Sequence, residues 1–399
     1  MRSRRVLLLG LLAAVLVALA AGPAGASKGM LRGIYDDAET FGNEARAFPA
    51  FQELGVQVIR MTLRWDQVAR TRPASPADPG DPAYDWAAFD RAVFLAEANG
   101  QKVLATILGA PAWANGGKAA NIVPYKSRKL AAFAEQAYLF SIAAARRYSG
   151  VYQTAEYAQL PRITRWTAWN EPNDPTFLKP QYVRKAGAYL PMAGLIYARI
   201  CTAVHAGVHL AGREGGYKVI VACGVTNPGG NNIGRAKRAS TSPIPFVQWM
   251  KRGGARFDVY AHHPYNGNPF ETPTGGSGIP TRIGLGDLPK LIRELDRLWP
   301  RKRYRVWLTE YGYQTNPPDK NFGVSWAKQA GYLEQANEIL TANPRVTMLI
   351  WFLLRDQEDL GGFQSGLVTA AGKRKPAYEA FRELGTQPAR RRLGPDTRR

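Results

Sequence analysis

Two glutamates, Glu171 and Glu310, each end a run of apolar residues, in the segments 165–171 (RWTAWNE) and 304–310 (YRVWLTE). A buried strand does not normally end in a carboxylate, because an unpaired charge is costly to bury. Two carboxyl groups about 5–5.5 Å apart can cleave a glycosidic bond with retention, one as acid/base and the other as nucleophile. This chemistry requires a fold that brings the two chain segments together.

Eight short apolar segments alternate with amphipathic ones along the chain. Near-continuous runs of Val, Ile, Leu and Ala are typical of strands that are buried on both faces. The strand candidates are 31–36, 56–63, 102–108, 165–171, 217–224, 257–263, 304–310 and 346–352. The clearest helix candidates, with apolar residues three and four apart, are 85–100, 127–150, 325–343 and 376–384.

Eight strand–helix units over about 350 residues predict one α/β domain, a (β/α)8 TIM barrel. An open doubly wound sheet is the alternative, but it usually has a glycine-rich first turn, which the segment after Asp36 lacks. In a barrel the chemistry lies at the strand ends, on the face built by the strand-to-helix loops. The fourth and seventh strands face each other there, so we expect Glu171 and Glu310 to meet across the mouth.

Polar and aromatic residues gather at the predicted strand ends, whereas the strand bodies stay apolar. This distribution predicts a functional site at the mouth of the barrel. Arg64 is expected to form a salt bridge in a loop rather than to act in the site. The other residues at the strand ends are Asp36, Asp37, Arg60, Trp65, Trp113, Asn170, His262, His263, Tyr265 and Trp351.

The segments around the two glutamates resemble a known group of enzymes. WNEPN (169–173) with LTEYG (308–312) is similar to the retaining glycoside hydrolases of clan A, and most similar to families 39 and 5. The resemblance covers nearly the whole barrel. Family 5 members usually have a histidine near the end of the third strand, and the segment 106–117 has none, which favours family 39. The resemblance implies Glu171 as general acid/base and Glu310 as nucleophile.

Further roles follow from the same resemblance. Asn170 is expected to hold the sugar 2-hydroxyl, and Arg60 to lie under Glu310, where a cation favours a charged carboxylate. A negative Glu310 is expected to raise the pKa of Glu171. The remaining expectations are that Tyr265 hydrogen-bonds Glu310, that His263 lines the pocket, and that Trp351 either closes its floor with a face toward the sugar or packs as a core aromatic. Trp65 and Trp113 are expected to stack on sugar rings at the mouth.

The two ends of the chain have compositions of their own. Residues 1–26 predict a signal peptide, with a cationic start, an apolar run of 17 residues and a small-residue cleavage site. An uncleaved membrane anchor is the alternative. We therefore expect the catalytic domain at 27–385, a basic disordered tail at 386–399, and a secreted monomer with no stable membrane insertion after cleavage.

The net charge of +22 raises the question of the partner. A balance this basic favours an acidic polysaccharide, an anionic envelope or nucleic acid, or else reflects a solvated arginine-rich surface. The Lys and Arg residues are scattered and no nucleic-acid motif accompanies them, so nucleic acid is not expected. The expected partner is a polysaccharide or oligosaccharide substrate, with a weak indication of an acidic glycan.

No cofactor or metal is expected from the sequence. Cys201 and Cys223 either pair in an exported chain or remain buried thiols, and their spacing suits no metal site. His205 and His209 lie four residues apart but lack a third ligand nearby in the sequence.

The leading hypothesis is a secreted retaining glycoside hydrolase that acts by double displacement. A non-catalytic carbohydrate-binding barrel at the cell envelope is the alternative from another class, although binding alone does not need both glutamates. A transglycosylase would use the same covalent intermediate, and the sequence does not separate it from a hydrolase.

Overall fold

The computed structural model describes residues 29–229 and 239–384. The predicted signal peptide, 1–26, and the predicted tail, 386–399, lie outside the described residues. None of the helices in the described ranges is both long enough and apolar enough to cross a bilayer.

Eight parallel strands close into a barrel, which confirms the predicted (β/α)8 fold. In chain order the strands are β1 Leu31–Tyr35, β2 Val58–Arg64, β3 Lys102–Leu108, β4 Arg165–Ala168, β5 Tyr182–Lys185, β6 Ala188–Pro191, β7 Ile220–Thr226, β8 Val259–His262, β9 Arg305–Tyr311 and β10 Val346–Phe352. Around the barrel the order is β1, β10, β9, β8, β7, β4, β3, β2, and the antiparallel pair β5–β6 lies outside it.

Helices surround the barrel. They are α1 Asp37–Gly42, α2 Glu44–Glu53, α3 Trp65–Val68, α4 Ala87–Ala98, α5 Ala112–Asn115, α6 Ser127–Arg147, α7 Ala193–Glu214, α8 Pro243–Arg252, α9 Leu288–Leu298, α10 Trp326–Thr341 and α11 Pro376–Glu383. Four of them, α4, α6, α10 and α11, lie at the four predicted helical segments. Ser325 caps α10, because its side chain accepts the N–H of Lys328.

The barrel strands are apolar because both of their faces are covered. In β2 every residue from Val58 to Leu63 is buried. Close strand approach also explains Gly33 in β1, since a Cβ there would lie 2.1 Å from the Val58 carbonyl oxygen. The eight predicted strands are therefore confirmed. Two strands differ from their predicted bounds by three residues: β4 ends at Ala168, three before Glu171, and β7 begins at Ile220 rather than at 217.

A disulfide fastens the barrel to one of its helices. Cys201 on α7 bonds to Cys223 on β7, with their Cα atoms 6.0 Å apart. Of the two alternatives that the sequence left open, the structure has the paired one.

Candidate active site

The segment that carries Glu171 is a strained turn rather than a strand tip. Trp169 has a φ of 68° and Glu171 a φ of 35°, both in the left-handed region that residues other than glycine rarely adopt. Hydrogen bonds hold this backbone in place: the Trp169 N–H donates to Ile107 of β3, its indole N–H to Phe177, and the Asp174 N–H to the Glu171 carbonyl. Backbone strain held in this way is common at functional sites.

Neutral groups surround the Glu171 carboxyl. The Asn227 amide donates to Oε2 at 3.1 Å, and His263 Nδ1 lies 2.9 Å from Oε1. Burial raises the pKa of Glu171 to about 7, and the charge of Asp174 also raises it, against the opposing effects of the Asn227 hydrogen bond and the Arg60 charge. The predicted cause, a negative Glu310, is wrong, because desolvation is the largest cause and the contributing carboxylate is Asp174.

His263 is neutral, since burial lowers its pKa to about 3. Its Nε2 atom faces the Thr309 hydroxyl at 3.0 Å and Arg60 Nη1 at 3.2 Å, and a guanidinium can only donate. We therefore assign the ring proton to Nδ1, from which it is donated to the Glu171 carboxylate.

Charged and hydroxyl groups hold the other carboxyl. Arg60 Nη1 lies 2.8 Å from Oε2 of Glu310, and the Tyr265 hydroxyl donates to Oε1 at 2.8 Å. Arg60 is fully buried and its cation lies over the ring of Tyr35, 4.3 Å from the ring centre. The Arg60 guanidinium also donates to Thr106, to the Thr309 carbonyl and to Asn170.

The two carboxyl groups lie close together, although they are 139 positions apart in the numbering. Each offers an oxygen within 4.8 Å of the other and of a His263 ring nitrogen. Asn170 lies beside them and its Oδ1 accepts from Arg60 Nη2 at 2.5 Å. The NH2 group of Asn170 is then the end available to a ligand in the pocket.

The two glutamates, Asn170 and Tyr265 line a pocket of about 690 Å³ at the mouth of the barrel, a volume typical of ligand sites. His263 was predicted to line it, but its side chain is fully buried beside the glutamates and is not among the lining residues.

One wall of the pocket is aromatic, with the rings of Tyr35 and Phe363 centred 5.6 and 5.1 Å from that of Phe352. At the rim, Phe322 and Phe363 are 47% and 48% exposed. An exposed ring beside a polar pocket offers an apolar face to a sugar.

Trp65, Trp113 and Trp351 do not lie at the mouth or floor of the pocket, where they were predicted. Trp65 is buried and stacks on Phe140, within the layer between barrel and helices. Trp113 is half-buried, packs edge-on against Trp65 and donates its indole N–H to Ala69. Trp351 is fully buried and donates to the Ser365 carbonyl, so it offers no face to a sugar. None of the three lines the pocket among the described residues.

Neighbouring residues take the place of these tryptophans. Phe352 lines the pocket instead of Trp351, because adjacent residues of a strand point to opposite sides.

Asn227, at the end of β7, was also missed, although its position at a strand end was a usable signal. Asn173 holds it, donating to Asn227 Oδ1 at 2.9 Å and accepting its backbone N–H.

Other predicted residues have clear structural outcomes. Arg64 forms the expected loop salt bridge, at 2.6 Å from Asp66. His262 is buried behind the pocket between Thr226 and the Ile283 carbonyl. The loop 226–240 contributes Gly229 and Ser240 to the pocket, and its residues 230–238 lie outside the described ranges.

Two clusters in the described part of the chain have the donor atoms that a metal ion needs. One is Glu171, His263 and Glu310, where the Arg60 cation already occupies one side of Glu310 and opposes a second cation. The other cluster lies at the opposite end of the barrel and is considered below.

Comparison with solved structures shows what the chain is similar to. A family 39 glycoside hydrolase from Bacteroides cellulosilyticus WH2 matches with a TM-score of 0.55 and 19% identity, over 88% of this chain and 62% of that one. A family 39 β-xylosidase from Caulobacter crescentus matches with a TM-score of 0.56 and 17% identity, over 92% and 73%. The family 53 catalytic domain from Ignisphaera aggregans matches with a TM-score of 0.56 and 16% identity, over 91% and 97%.

The likeness is one of fold. This chain spans less than two thirds of the length of the Bacteroides protein. No family model and no curated protein matches the sequence. The expected similarity to clan A and to family 39 is confirmed at the level of the barrel, and the chemistry has to be argued from the pocket itself.

Proposed function

We propose that this protein is a retaining glycoside hydrolase that cleaves O-glycosidic bonds of a polysaccharide or oligosaccharide. The observation that carries the proposal is the pair of carboxyl groups, Glu171 and Glu310, whose oxygens approach within 4.8 Å at the strand ends of the barrel. Inverting enzymes need about 6.5–9.5 Å between carboxyl groups to admit a water, whereas retaining enzymes have about 5–5.5 Å. The close approach therefore favours retention.

In the first step the Glu310 carboxylate attacks the anomeric carbon, and the leaving oxygen takes the proton of Glu171. A covalent glycosyl-enzyme and a free alcohol result. Glu171 can hold its proton near neutral pH because burial raises its pKa to about 7. Arg60 and Tyr265 orient Glu310 for the attack through one contact on each oxygen.

In the second step Glu171, now a carboxylate, takes a proton from a water molecule whose oxygen attacks the anomeric carbon. The bond to Glu310 breaks and Glu171 is protonated again. Asn227 and His263 each present an N–H to Glu171, so they stabilise the carboxylate that Glu171 becomes between the two steps.

The remaining pocket residues have the chemistry of sugar binding. The NH2 group of Asn170 is available to a ring hydroxyl beside the two glutamates. Phe363 and Phe322 present exposed ring faces at the rim, suited to the apolar side of neighbouring sugar units. Arg282 also lines the pocket, but Glu271 and the Tyr265 carbonyl occupy its guanidinium.

We further infer that the enzyme acts outside the cell. The composition of residues 1–26 supports export, and the disulfide between Cys201 and Cys223 supports an oxidising compartment.

The proposal is tested by measuring new reducing ends released from a panel of neutral and acidic polysaccharides by the wild type and by Glu310→Gln. We expect release by the wild type and none above background by the variant. Glu334→Gln, an exposed change of the same type on α10, is the matched control and keeps full activity. Glycan binding by both proteins with no release by either would contradict the proposal and favour a binding barrel.

A further inference from the structure

Two histidines and an aspartate converge at the end of the barrel opposite the pocket. His205 and His209 lie on successive turns of α7, and Asp258 directly precedes β8. His205 Nε2 is 3.3 Å from Asp258 Oδ1, and His209 Nε2 is 2.7 Å from Oδ2. One donor atom from each residue lies within 4.8 Å of the other two.

The fold supplies what the sequence lacked. His205 and His209 have no third ligand near them in the sequence. Asp258 comes 49 residues after His209, and the packing of α7 against the barrel brings its carboxylate to both imidazoles. The reason for excluding a metal site at this pair is therefore removed.

Both halves of the cluster are fixed to the same strand. Cys201, one turn before His205 on α7, is bonded to Cys223 on β7. Oδ2 of Asp258 accepts the backbone N–H of Val221, also on β7, at 2.8 Å. A ligating carboxylate is normally held by such a second hydrogen bond. The three side chains need little rearrangement to meet an ion.

The cluster is open enough for an ion to enter. The side chains of His205, His209 and Asp258 are 22%, 26% and 32% exposed, so water can complete the coordination. The imidazole rings lie with their centres 4.2 Å apart, and both direct Nε2 to the same carboxylate. Two imidazole nitrogens and one carboxylate oxygen suit Zn²⁺ and similar ions, whereas Ca²⁺ and Mg²⁺ prefer sites made of oxygen ligands.

We propose that His205, His209 and Asp258 bind one divalent transition-metal ion of the zinc type, through both Nε2 atoms and a carboxylate oxygen, with water in the remaining position. The ion takes the position of the hydrogen on each Nε2, and each neutral imidazole then carries its proton on Nδ1. The ion links α7 to the start of β8. This is the N-terminal end of the barrel strands, the face that in TIM barrels serves stability rather than catalysis. The role of the ion is structural and is independent of the proposed glycosidase activity.

The test uses the protein without an affinity tag, freed of metal with a chelator, and measures Zn²⁺ binding by calorimetry and by bound-metal analysis. We expect one tight site per chain. At a hundredfold excess of Zn²⁺ over its dissociation constant, Tm should rise by about 3 to 5 °C. Co²⁺ in place of Zn²⁺ should give the visible absorption of a tetrahedral site.

Three variants locate the binding. His205→Gln with His209→Gln should weaken Zn²⁺ binding by at least about 100-fold, since even a lost outer-shell partner costs 10–100-fold. Asp258→Asn should weaken it with both histidines in place. Glu171→Gln with Glu310→Gln removes the other donor cluster and should leave the binding unchanged.

Any variant that loses the metal-free fold, as judged by circular dichroism, is replaced by His205→Gln alone, which leaves the His209–Asp258 hydrogen bond intact. No stoichiometric binding by the wild type would overturn the proposal. Binding that survives loss of the histidines, or that disappears with the two glutamates, would also overturn it.

Discussion

The two glutamates of the pocket have opposite electrostatic surroundings. On the β4–β7 side, Glu171 meets only neutral donors, Asn227 and a neutral His263, and burial raises its pKa to about 7. On the β2–β9 side, Glu310 is paired with the fully buried Arg60 cation and accepts from Tyr265. Two residues of the same type thus acquire different chemistry from the groups around them.

The difference explains how one pocket can hold an acid and a nucleophile at the same pH. Burial with no cation in contact raises the pKa of Glu171 to about 7, and a guanidinium beside Glu310 presents that carboxylate for attack. His263 touches both sides, with Nδ1 2.9 Å from Glu171 and 3.6 Å from Glu310. Because it stays neutral, it does not cancel the difference between the two sides.

The largest loss of activity should come from a change on the β2–β9 side of the pocket, where Glu310 is paired with Arg60 (the charged wall). Glu310→Gln keeps an amide oxygen for Arg60, and its NH2 group can donate to the Tyr265 hydroxyl oxygen, but the nucleophile is removed. We therefore expect kcat/KM to fall by at least about 10⁴-fold. Turnover on the substrate found in the polysaccharide panel measures this, with Glu334→Gln as control. A loss smaller than tenfold would show that Glu310 does not form the covalent intermediate.

A change of Glu171, on the β4–β7 side that lacks a cation (the neutral wall), should cause a loss of activity that depends on the leaving group. Glu171→Gln removes the general acid, so kcat/KM on a natural linkage should fall by about 10²–10⁴-fold. An aryl glycoside with an activated leaving group needs no proton in the first step, and its kcat/KM should fall much less. Equal losses on both substrates would argue against an acid role for Glu171.

The pH profile reports on the same wall. The acid must be protonated, so kcat/KM should fall about tenfold for each pH unit above about 7. The folded pKa is raised above the ordinary 4.5, so the associated stability is complete below about 4.5 and lost as the pH rises to about 7. In Glu171→Gln this loss of stability should disappear, as denaturant titrations at several pH values would show. An unchanged stability profile in the variant would contradict the assignment.

Asn227→Ala tests whether neutral donors tune Glu171. Its hydrogen bond favours the carboxylate and opposes the effect of burial. Without it the basic limb of the pH profile should move upward, by up to about one unit, and deglycosylation should slow. Asn266→Ala, another asparagine that lines the pocket without contacting Glu171, is the control. If the basic limb of the pH profile does not move, Asn227 does not affect the pKa of Glu171.

The smallest effect should come from the rim. Phe363→Ala removes a stacking face, and KM should rise about 2- to 12-fold with little change in kcat, as expected for a loss of about 0.5–1.5 kcal/mol. Phe270→Ala is the matched control, because Phe270 is 88% exposed and does not line the pocket. Equal effects of the two variants would exclude a subsite at Phe363.

Much of the fold was visible in the sequence because barrel strands are buried on both faces and appear as apolar runs. The hairpin β5–β6 was missed, since Tyr182–Lys185 and Ala188–Pro191 are half-buried or exposed and form no such run. The glycine of the two-residue turn, Gly187, was its one usable signal, and in the structure both Ala186 and Gly187 have left-handed φ values.

The site was predictable where side-chain chemistry is distinctive and not where orientation decides. Glu171, Glu310, Arg60 and Tyr265 meet as expected because charged and hydroxyl groups at strand ends have few alternative uses. Trp351 and Phe352 are both apolar neighbours in β10, so composition does not tell which one faces the pocket. Phe322 and Phe363 lie on loops, whose course depends on contacts distant in the chain.

In the proposed mechanism Glu310, beside the Arg60 cation, supplies the nucleophile. The most direct test is to incubate the enzyme with an activated fluorosugar of the type its substrate contains. Such a sugar forms a slowly hydrolysed glycosyl-enzyme, and mass spectrometry then maps the labelled residue. We predict one adduct, on the peptide that carries Glu310, and none in Glu310→Gln. An adduct on Glu171, or a wild type that stays unlabelled and releases a product of inverted configuration, would contradict the account.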